Sequence, residues 1–148
     1  MPQPTDNSAI YRQRIAHLHD VMSTLGLQAL VLEPGAAMLY LTGVPWGKSE
    51  RTFAVVLPAK GEPVWVLPGF EEARARELIR VGDDIRVWQE DESPYQHIVD
   101  GLKDRGAVGR IAMDEGARFF VFDGIRKLAP KLVFTTAADL FAQSGVAR

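Results

Sequence analysis

Apolar and polar positions along this chain repeat with a period that switches between that of a helix and that of a strand. From Tyr11 to Leu25 the apolar residues return every three or four positions, which predicts an amphipathic helix opening at Ser8 and ending at Gly26. A continuous apolar run over residues 27–32 follows. A run of this kind, bounded by glycine and proline, predicts a strand that is covered on both faces.

The later elements are predicted from the same changes of period. Helical segments are predicted at 36–41, 70–80, 94–106, 118–128 and 137–143, and strands at 52–57, 63–67, 85–88, 110–113 and 131–135. Ser93 and Gln96 predict a capping box at the start of the third of these helices. Strands that alternate with helices, with one hairpin early in the chain, predict an α/β fold. We expect a three-layer sandwich around a mixed five- to six-stranded sheet with helices on both faces.

Length and composition limit the classes of protein that remain. A chain of 148 residues fits one domain, 1–148, whose polar first seven residues we expect to be loosely held. A net charge of −2 predicts no nucleic-acid partner and no anionic membrane surface. No apolar run reaches the roughly 20 residues of a membrane span, and the start does not resemble a signal peptide. We therefore expect a cytoplasmic protein with no membrane association.

Motifs that carry catalysis are absent from the sequence. There is no cysteine, none of the three histidines lies in an H-E-x-x-H motif, and no phosphate-binding or nucleophile-elbow motif occurs. Asp114 and Glu115 follow a predicted strand, where α/β sheets place ligands, but a polar strand end is the simpler interpretation. Only Glu33 follows the first strand, which disfavours a phospho-accepting receiver domain. We expect no catalytic residue and no metal ligand in this chain.

Two groups of side chains near helices have an ordinary interpretation. Phe119, Phe120 and Phe122 suggest an aromatic pocket, yet their helical spacing favours burial in the core. His17 and His19 are two positions apart on the first helix, so they point in different directions and do not form a metal-binding pair.

The polar loop from position 42 to position 51 is the remaining candidate for a functional site. It combines two glycines, a proline, Trp46 and Arg51 between strand-like segments, and scaffolds of this kind present functional loops. Tryptophan and arginine dominate binding hot spots, and arginine suits a planar carboxylate through two parallel hydrogen bonds. The alternative is that Arg51 is a solvated charge and Trp46 a ring lying on the surface.

The same loop carries a resemblance to a known family. The sequence YLTG at 40–43, the loop ending SER at 49–51, AKGEP at 59–63 and FEEAR at 70–74 follow one another in order and spacing. In these features the chain resembles the N-terminal domain of the creatinase, prolidase (Xaa-Pro dipeptidase) and aminopeptidase P family. The resemblance extends from about residue 11 to residue 140.

The resemblance implies a larger enzyme of which this chain is one part. A metal-binding "pita-bread" catalytic domain is expected after position 148 and is absent from this chain. That domain would hold two divalent metal ions (Mn, Co or Zn type) and act on a proline-containing peptide or a small amidine. This chain alone would have no cofactor and no activity.

The resemblance also implies partners for the domain. It would contact its own C-terminal catalytic domain and a second subunit of a homodimer. Trp46 and Arg51 would then bind substrate in trans, at the partner subunit's active site. The alternative from another class is a free-standing small-ligand or protein-binding α/β module without hydrolase activity.

Overall fold

The fold is described by a computed structural model that covers residues 8–147, so the predicted loose segment 1–7 lies outside the described residues. The helices are α1 (Ser8–Leu25), α2 (Ala36–Thr42), α3 (Glu72–Leu78), α4 (Pro94–Asp104), α5 (Phe119–Leu128) and α6 (Ala138–Ser144). The strands are β1 (Ala29–Leu32), β2 (Ala54–Pro58), β3 (Val64–Pro68), β4 (Asp84–Trp88), β5 (Arg110–Met113) and β6 (Val133–Thr136). Each predicted element is present, with its ends shifted by at most about two residues.

The six strands form one mixed sheet in the order β4-β3-β2-β1-β5-β6. Strand β2 is antiparallel to β1 and to β3, whereas the β3–β4, β1–β5 and β5–β6 pairs are parallel. In the centre, Val31 of β1 lies opposite Val56 on one side and Met113 on the other. The predicted mixed sheet is therefore confirmed.

Helices cover both faces of the sheet, which makes the three layers. Alternate residues of a strand point to opposite faces, and in β1 Leu30 and Leu32 face one core while Ala29 and Val31 face the other. The first core packs against α1, α2, α3 and α6, and the second against α4 and α5. This arrangement confirms the α/β sandwich.

Local signals in the sequence set several helix ends. Gly43 ends α2 in the left-handed conformation, with φ of 79°, and its N–H donates to the carbonyl oxygen of Leu39. At the start of α4 the Ser93 hydroxyl accepts from the Gln96 N–H at 3.3 Å. The other half of the predicted capping box is replaced, because the Gln96 side chain donates to Asp100 at 2.9 Å.

Helix α5 corrects one prediction. Its buried stripe consists of Val121 and Ile125, four residues apart, and these two side chains pack against the sheet. Phe119 and Phe120 lie off that stripe and are 72% and 45% exposed, so their assignment to the core is wrong. Phe122 is partly buried and meets the ring of Phe134 edge-on, with centroids 5.3 Å apart.

Within the part of the chain that the structure describes, no helix is long and apolar enough to cross a membrane.

Candidate functional site

The direction of the strands gathers the candidate residues at one edge of the sheet. Strands β1, β3, β4, β5 and β6 all end at this edge, and the antiparallel strand β2 begins there. The chain leaves β1 toward β2 and leaves β5 toward β6, so the connections diverge between β1 and β5. Ligands of α/β sheets bind at such a divergence, outside the carboxyl ends of the strands. We call this side of the sheet the carboxyl edge.

A buried ion pair lies at the point of divergence. Glu33, directly after β1, is only 4% exposed. Its carboxylate accepts from the Nε of Arg118 at 3.0 Å, from Nη2 at 2.6 Å and from the Arg118 backbone N–H at 2.9 Å. Charge-assisted bonds of this kind offset the cost of burying the carboxylate. The pair therefore joins the end of β1 to the residue that precedes α5.

Arg118 also contacts the loop that follows α2. Its remaining terminal nitrogen, Nη1, donates to the backbone carbonyl of Ser49 at 2.7 Å. The guanidinium carbon lies 4.6 Å from the ring centroid of Phe120, which is within cation–π range. The α2–β2 loop, residues 43–53, is thus held against the sheet by the side chain of the residue that precedes α5.

Arg51, the predicted binding residue, lies on this loop in an exposed ion pair. Its Nη2 is 2.6 Å from Oε1 of Glu90, a residue that follows β4, and the two side chains are 43% and 73% exposed. The Arg51 guanidinium also lies 5.4 Å from the ring of Phe70. Arg51 is therefore a partly exposed charge with a specific ionic partner, which is compatible with the alternative of a solvated charge. Exposed pairs of this kind contribute about 0–1 kcal/mol, so Arg51 can exchange Glu90 for another carboxylate at little cost.

Trp46, the second predicted binding residue, packs more firmly than a ring lying on the surface. It stacks on Phe53 with centroids 4.5 Å apart and an angle of 18° between the ring planes. Phe53 is buried and meets Trp65 edge-on at 6.1 Å. The guanidinium carbon of Arg74 also lies 5.7 Å from the centroid of the Trp46 ring. Trp46 therefore fixes the middle of the α2–β2 loop to the core.

An open cavity of about 360 Å³ lies further along the carboxyl edge, between α5 and the ends of β5 and β6. Its walls include Asp114, Phe119, Phe122, Phe134 and Thr136. Two of the three phenylalanines considered from the sequence, Phe119 and Phe122, therefore line a cavity, together with Phe134 and without Phe120. Asp114 accepts from the Gly116 N–H at 3.1 Å, as expected for a polar residue in the turn after a strand.

Sequence reasoning missed the Glu33–Arg118 pair. The signals were a single charged residue directly after a buried strand and an arginine directly before a helix. The two residues are 85 positions apart, and only the order of the strands brings them together.

Among residues 8–147 no three His, Asp or Glu side chains are placed to hold a metal ion. The two divalent ions that the resemblance implies are expected in a further catalytic domain and not in this region. No metal-dependent step is assigned to the side chains of this region.

Comparison with known sequences relates nearly the whole chain to one family. The sequence model of the Creatinase/Prolidase N-terminal domain matches residues 14–144. An uncharacterized peptidase of Schizosaccharomyces pombe is 32% identical over 114 residues, which are 68% of this chain and 24% of that protein. The probable dipeptidase PepE of Mycobacterium tuberculosis is 34% identical over 91 residues, 60% of this chain and 24% of that protein. The chain thus spans about a quarter of the length of these curated relatives.

Solved structures show the same architecture. The dipeptidase PepE from Mycobacterium ulcerans is 28% identical, with a TM-score of 0.79 over 93% of this chain and 37% of that one. A prolidase from Thermococcus sibiricus, 23% identical, has a TM-score of 0.78 over 90% of this chain and 36% of that one. The Creatinase/Prolidase N-terminal domain of an X-Pro dipeptidase from Streptococcus pyogenes is 18% identical, with a TM-score of 0.69 over 84% of this chain and 98% of that one. At these lower identities the likeness concerns the fold.

Proposed function

The chain belongs to the Creatinase/Prolidase N-terminal domain family, and from this premise we propose that it is the accessory domain of a dimetal hydrolase of the Xaa-Pro peptidase type. The relatives named as dipeptidases and prolidase support this class of parent enzyme. The domain is non-catalytic by itself. It contributes to dimerisation and closes over the active site of the partner subunit.

In this proposal the chemistry belongs to a catalytic domain that follows position 148. That domain holds two divalent ions of the Mn, Co or Zn type and cleaves a proline-containing peptide or a small amidine. The length of the relatives, about four times the matched segment, leaves room for such a domain. The proposal includes a cytoplasmic location and a homodimer.

The observation that carries the proposal is the exposed ion pair between Arg51 and Glu90. The Arg51 guanidinium, on an irregular loop, is paired with an exposed carboxylate and lies near the Phe70 ring, at the edge of the sheet where ligands bind. When the domain closes on the partner subunit, Arg51 exchanges Glu90 for the carboxylate of a short substrate. Trp46 lies beside the bound substrate, and closure orients it and excludes water around the reacting bond.

Kinetics of the parent enzyme test the role of Arg51. We expect Arg51→Ala to raise KM for an Xaa-Pro dipeptide at least tenfold, because a dipeptide presents its carboxylate next to the reacting bond. The effect on a longer peptide is smaller. Arg126→Ala removes another exposed, paired arginine, from α5, and serves as the matched control with unchanged KM. An unchanged dipeptide KM in Arg51→Ala contradicts the proposal.

Mixed dimers test whether Arg51 acts in trans. One subunit carries Arg51→Ala with an intact catalytic domain, and the other carries Arg51 with its metal ligands removed. In trans, the intact active site receives Arg51 from the other subunit, so the mixed dimer recovers about half of the wild-type activity. If Arg51 acts within its own subunit, the mixture stays as impaired as Arg51→Ala.

The second candidate is a free-standing small-ligand or protein-binding module, and the cavity beside α5 favours it. The two candidates differ in the size of the native protein. A cellular product near 16.4 kDa supports the free module, whereas one roughly three times larger, the size of the relatives, supports the accessory domain. The purified chain with added manganese is expected to show no Xaa-Pro hydrolysis, and turnover would overturn the accessory role.

A further inference from the structure

We infer that Arg118 is a positioning residue that sets the resting place of the α2–β2 loop, and with it the place of Arg51. The value of this positioning for catalysis rests on the proposed function. The contacts of Arg118 from which we infer it do not depend on that proposal. The inference concerns a residue from the start of α5, far in sequence from the loop it would control.

A continuous chain of contacts leads from the core to Arg51. Glu33 is buried and fixed at the end of a central strand, and it holds both the side chain and the backbone N–H of Arg118. Arg118 then donates to the carbonyl of Ser49 at 2.7 Å. The Ser49 hydroxyl donates to the Arg51 carbonyl and accepts from the Arg51 N–H, each at 3.2 Å. Three successive contacts, through Arg118 and Ser49, therefore connect the backbone of Arg51 to the buried Glu33.

The guanidinium group is suited to this task. Its donors form a rigid planar fork, so Arg118 can hold Glu33 through Nε and Nη2 while Nη1 reaches Ser49. A lysine presents its donors from a single nitrogen and cannot span both acceptors in this geometry. The need to hold two acceptors on different elements explains an arginine at this position.

The α2–β2 loop depends on side-chain contacts because residues 43–53 form no helix or strand. Trp46 fixes the middle of the loop, and the contact of Arg51 with Glu90 is exposed. The Arg118–Ser49 contact links the loop to the half of the sheet that contains β1 and β5. Without it, residues 47–51 keep their attachment at Trp46 and lose their orientation.

The test separates loop position from stability. Arg118→Met leaves the Glu33 carboxylate buried without its partner, so this variant is expected to lose thermal stability. The double variant Glu33→Gln/Arg118→Met removes the buried charge as well and is expected to recover most of the loss in Tm. Its loop still lacks the contact with Ser49. Arg126→Met is the matched control on the same helix.

Two measurements on the 148-residue chain report the loop. In fluorotryptophan NMR the signal of Trp46, next to the released residues 47–51, is expected to shift in the double variant, while the signal of core Trp65 stays in place. Amide hydrogen exchange of residues 47–51 is expected to accelerate at least tenfold. Arg118→Lys keeps the charge and is expected to fall between wild type and the double variant.

The decisive outcome is the behaviour of the double variant. If its stability is recovered and its loop exchanges at the wild-type rate, Arg118 has only a structural role and the inference is wrong. A loosened loop supports the inference even if Arg51→Ala leaves the parent enzyme unchanged. A loosened loop together with unchanged kinetics of Arg51→Ala would contradict the proposed function and leave this inference intact.

Discussion

Arg51 and Glu90 meet at 2.6 Å across the carboxyl edge, and the carboxylate is the more exposed of the two side chains. Arg51 lies on the loop before β2 and Glu90 just after β4, two strands away in the sheet. A contact between two exposed charges on different elements is easily broken. It keeps Arg51 extended over the edge without fixing it in the interior.

Replacing Glu90 tests whether this pair competes with substrate. We expect Glu90→Gln to change the free energy of unfolding by less than about 1 kcal/mol, because the pair is exposed. In the parent enzyme the KM for an Xaa-Pro dipeptide is expected to fall severalfold, since Arg51 no longer has to leave a carboxylate. Glu72→Gln, which removes another exposed acidic partner of an arginine, is the control. A raised KM in Glu90→Gln would mean that Glu90 holds Arg51 in its working position.

Substitutions of two glycines at helix ends can distinguish the cost of backbone strain from the cost of steric overlap. Gly26 and Gly43 both have positive φ, 69° and 79°, but an added Cβ at Gly26 meets nothing within 4 Å, whereas at Gly43 it meets the Tyr11 ring at 2.6 Å. We expect Gly26→Ala to cost about 1–2 kcal/mol, the cost of a left-handed alanine. Gly43→Ala is expected to cost clearly more. Chemical denaturation measures both.

The Tyr11 ring provides the check on this interpretation. In a Tyr11→Ala background the additional cost of Gly43→Ala should disappear, leaving only the backbone term. A persistent difference between the two glycines in that background would show that Tyr11 is not its source.

The burial of His19 predicts that the folded protein loses stability in mildly acidic solution. Burial lowers the pKa of His19 below its ordinary 6.5, and this outweighs the opposing effects of the Pro58 backbone and of Asp20 and Glu62. The unfolded chain therefore binds a proton at a higher pH than the folded one. The stabilisation is complete above about pH 6.5 and decreases as the pH falls toward the folded pKa.

The pH dependence is measured by denaturation at pH 7.5, 6.5 and 5.5. The wild type is expected to lose stability over this range, because burial disfavours the charged, protonated imidazole of His19. His19→Gln is expected to flatten the dependence. His17→Gln, on the exposed side of the same helix, should retain it.

Helix α5 predicts opposite outcomes for two large apolar side chains. Phe119 is 72% exposed, so we expect Phe119→Ala to change the free energy of unfolding by no more than about 0.5 kcal/mol. Ile125 is fully buried, and Ile125→Ala is expected to cost about 2–5 kcal/mol through lost burial and the cavity it leaves. Equal effects in thermal unfolding would contradict the orientation of this helix.

The sequence was sufficient for the fold because each element carries its own local signal. The three- and four-residue repeat of α1 and the apolar run of β1 are visible without any neighbour. The sequence pattern of a short helix is less informative about which of its faces is buried. In α5 every residue from Phe119 to Phe122 is apolar, so the pattern does not distinguish the buried Val121 from its exposed neighbours.

The candidate site was predicted only in part, for the same reason. The composition of the loop pointed to Trp46 and Arg51, but their contacts depend on residues brought close by the sheet. Glu90 is 39 positions from Arg51, and Arg118 is 69 positions from Ser49. No repeat or motif marks such pairs, since the order of strands creates them.

The reversed direction of β2 has a consequence for how this family can change over time. Because β1 ends and β2 begins at the same border, the segment between them leaves and re-enters the sheet at that border, with α2 packed on one face. Residues can be inserted or deleted between Gly43 and Phe53 while the pairing of the two strands is preserved. The length and shape of this loop can therefore evolve by insertion or deletion, on a framework that does not have to be rebuilt.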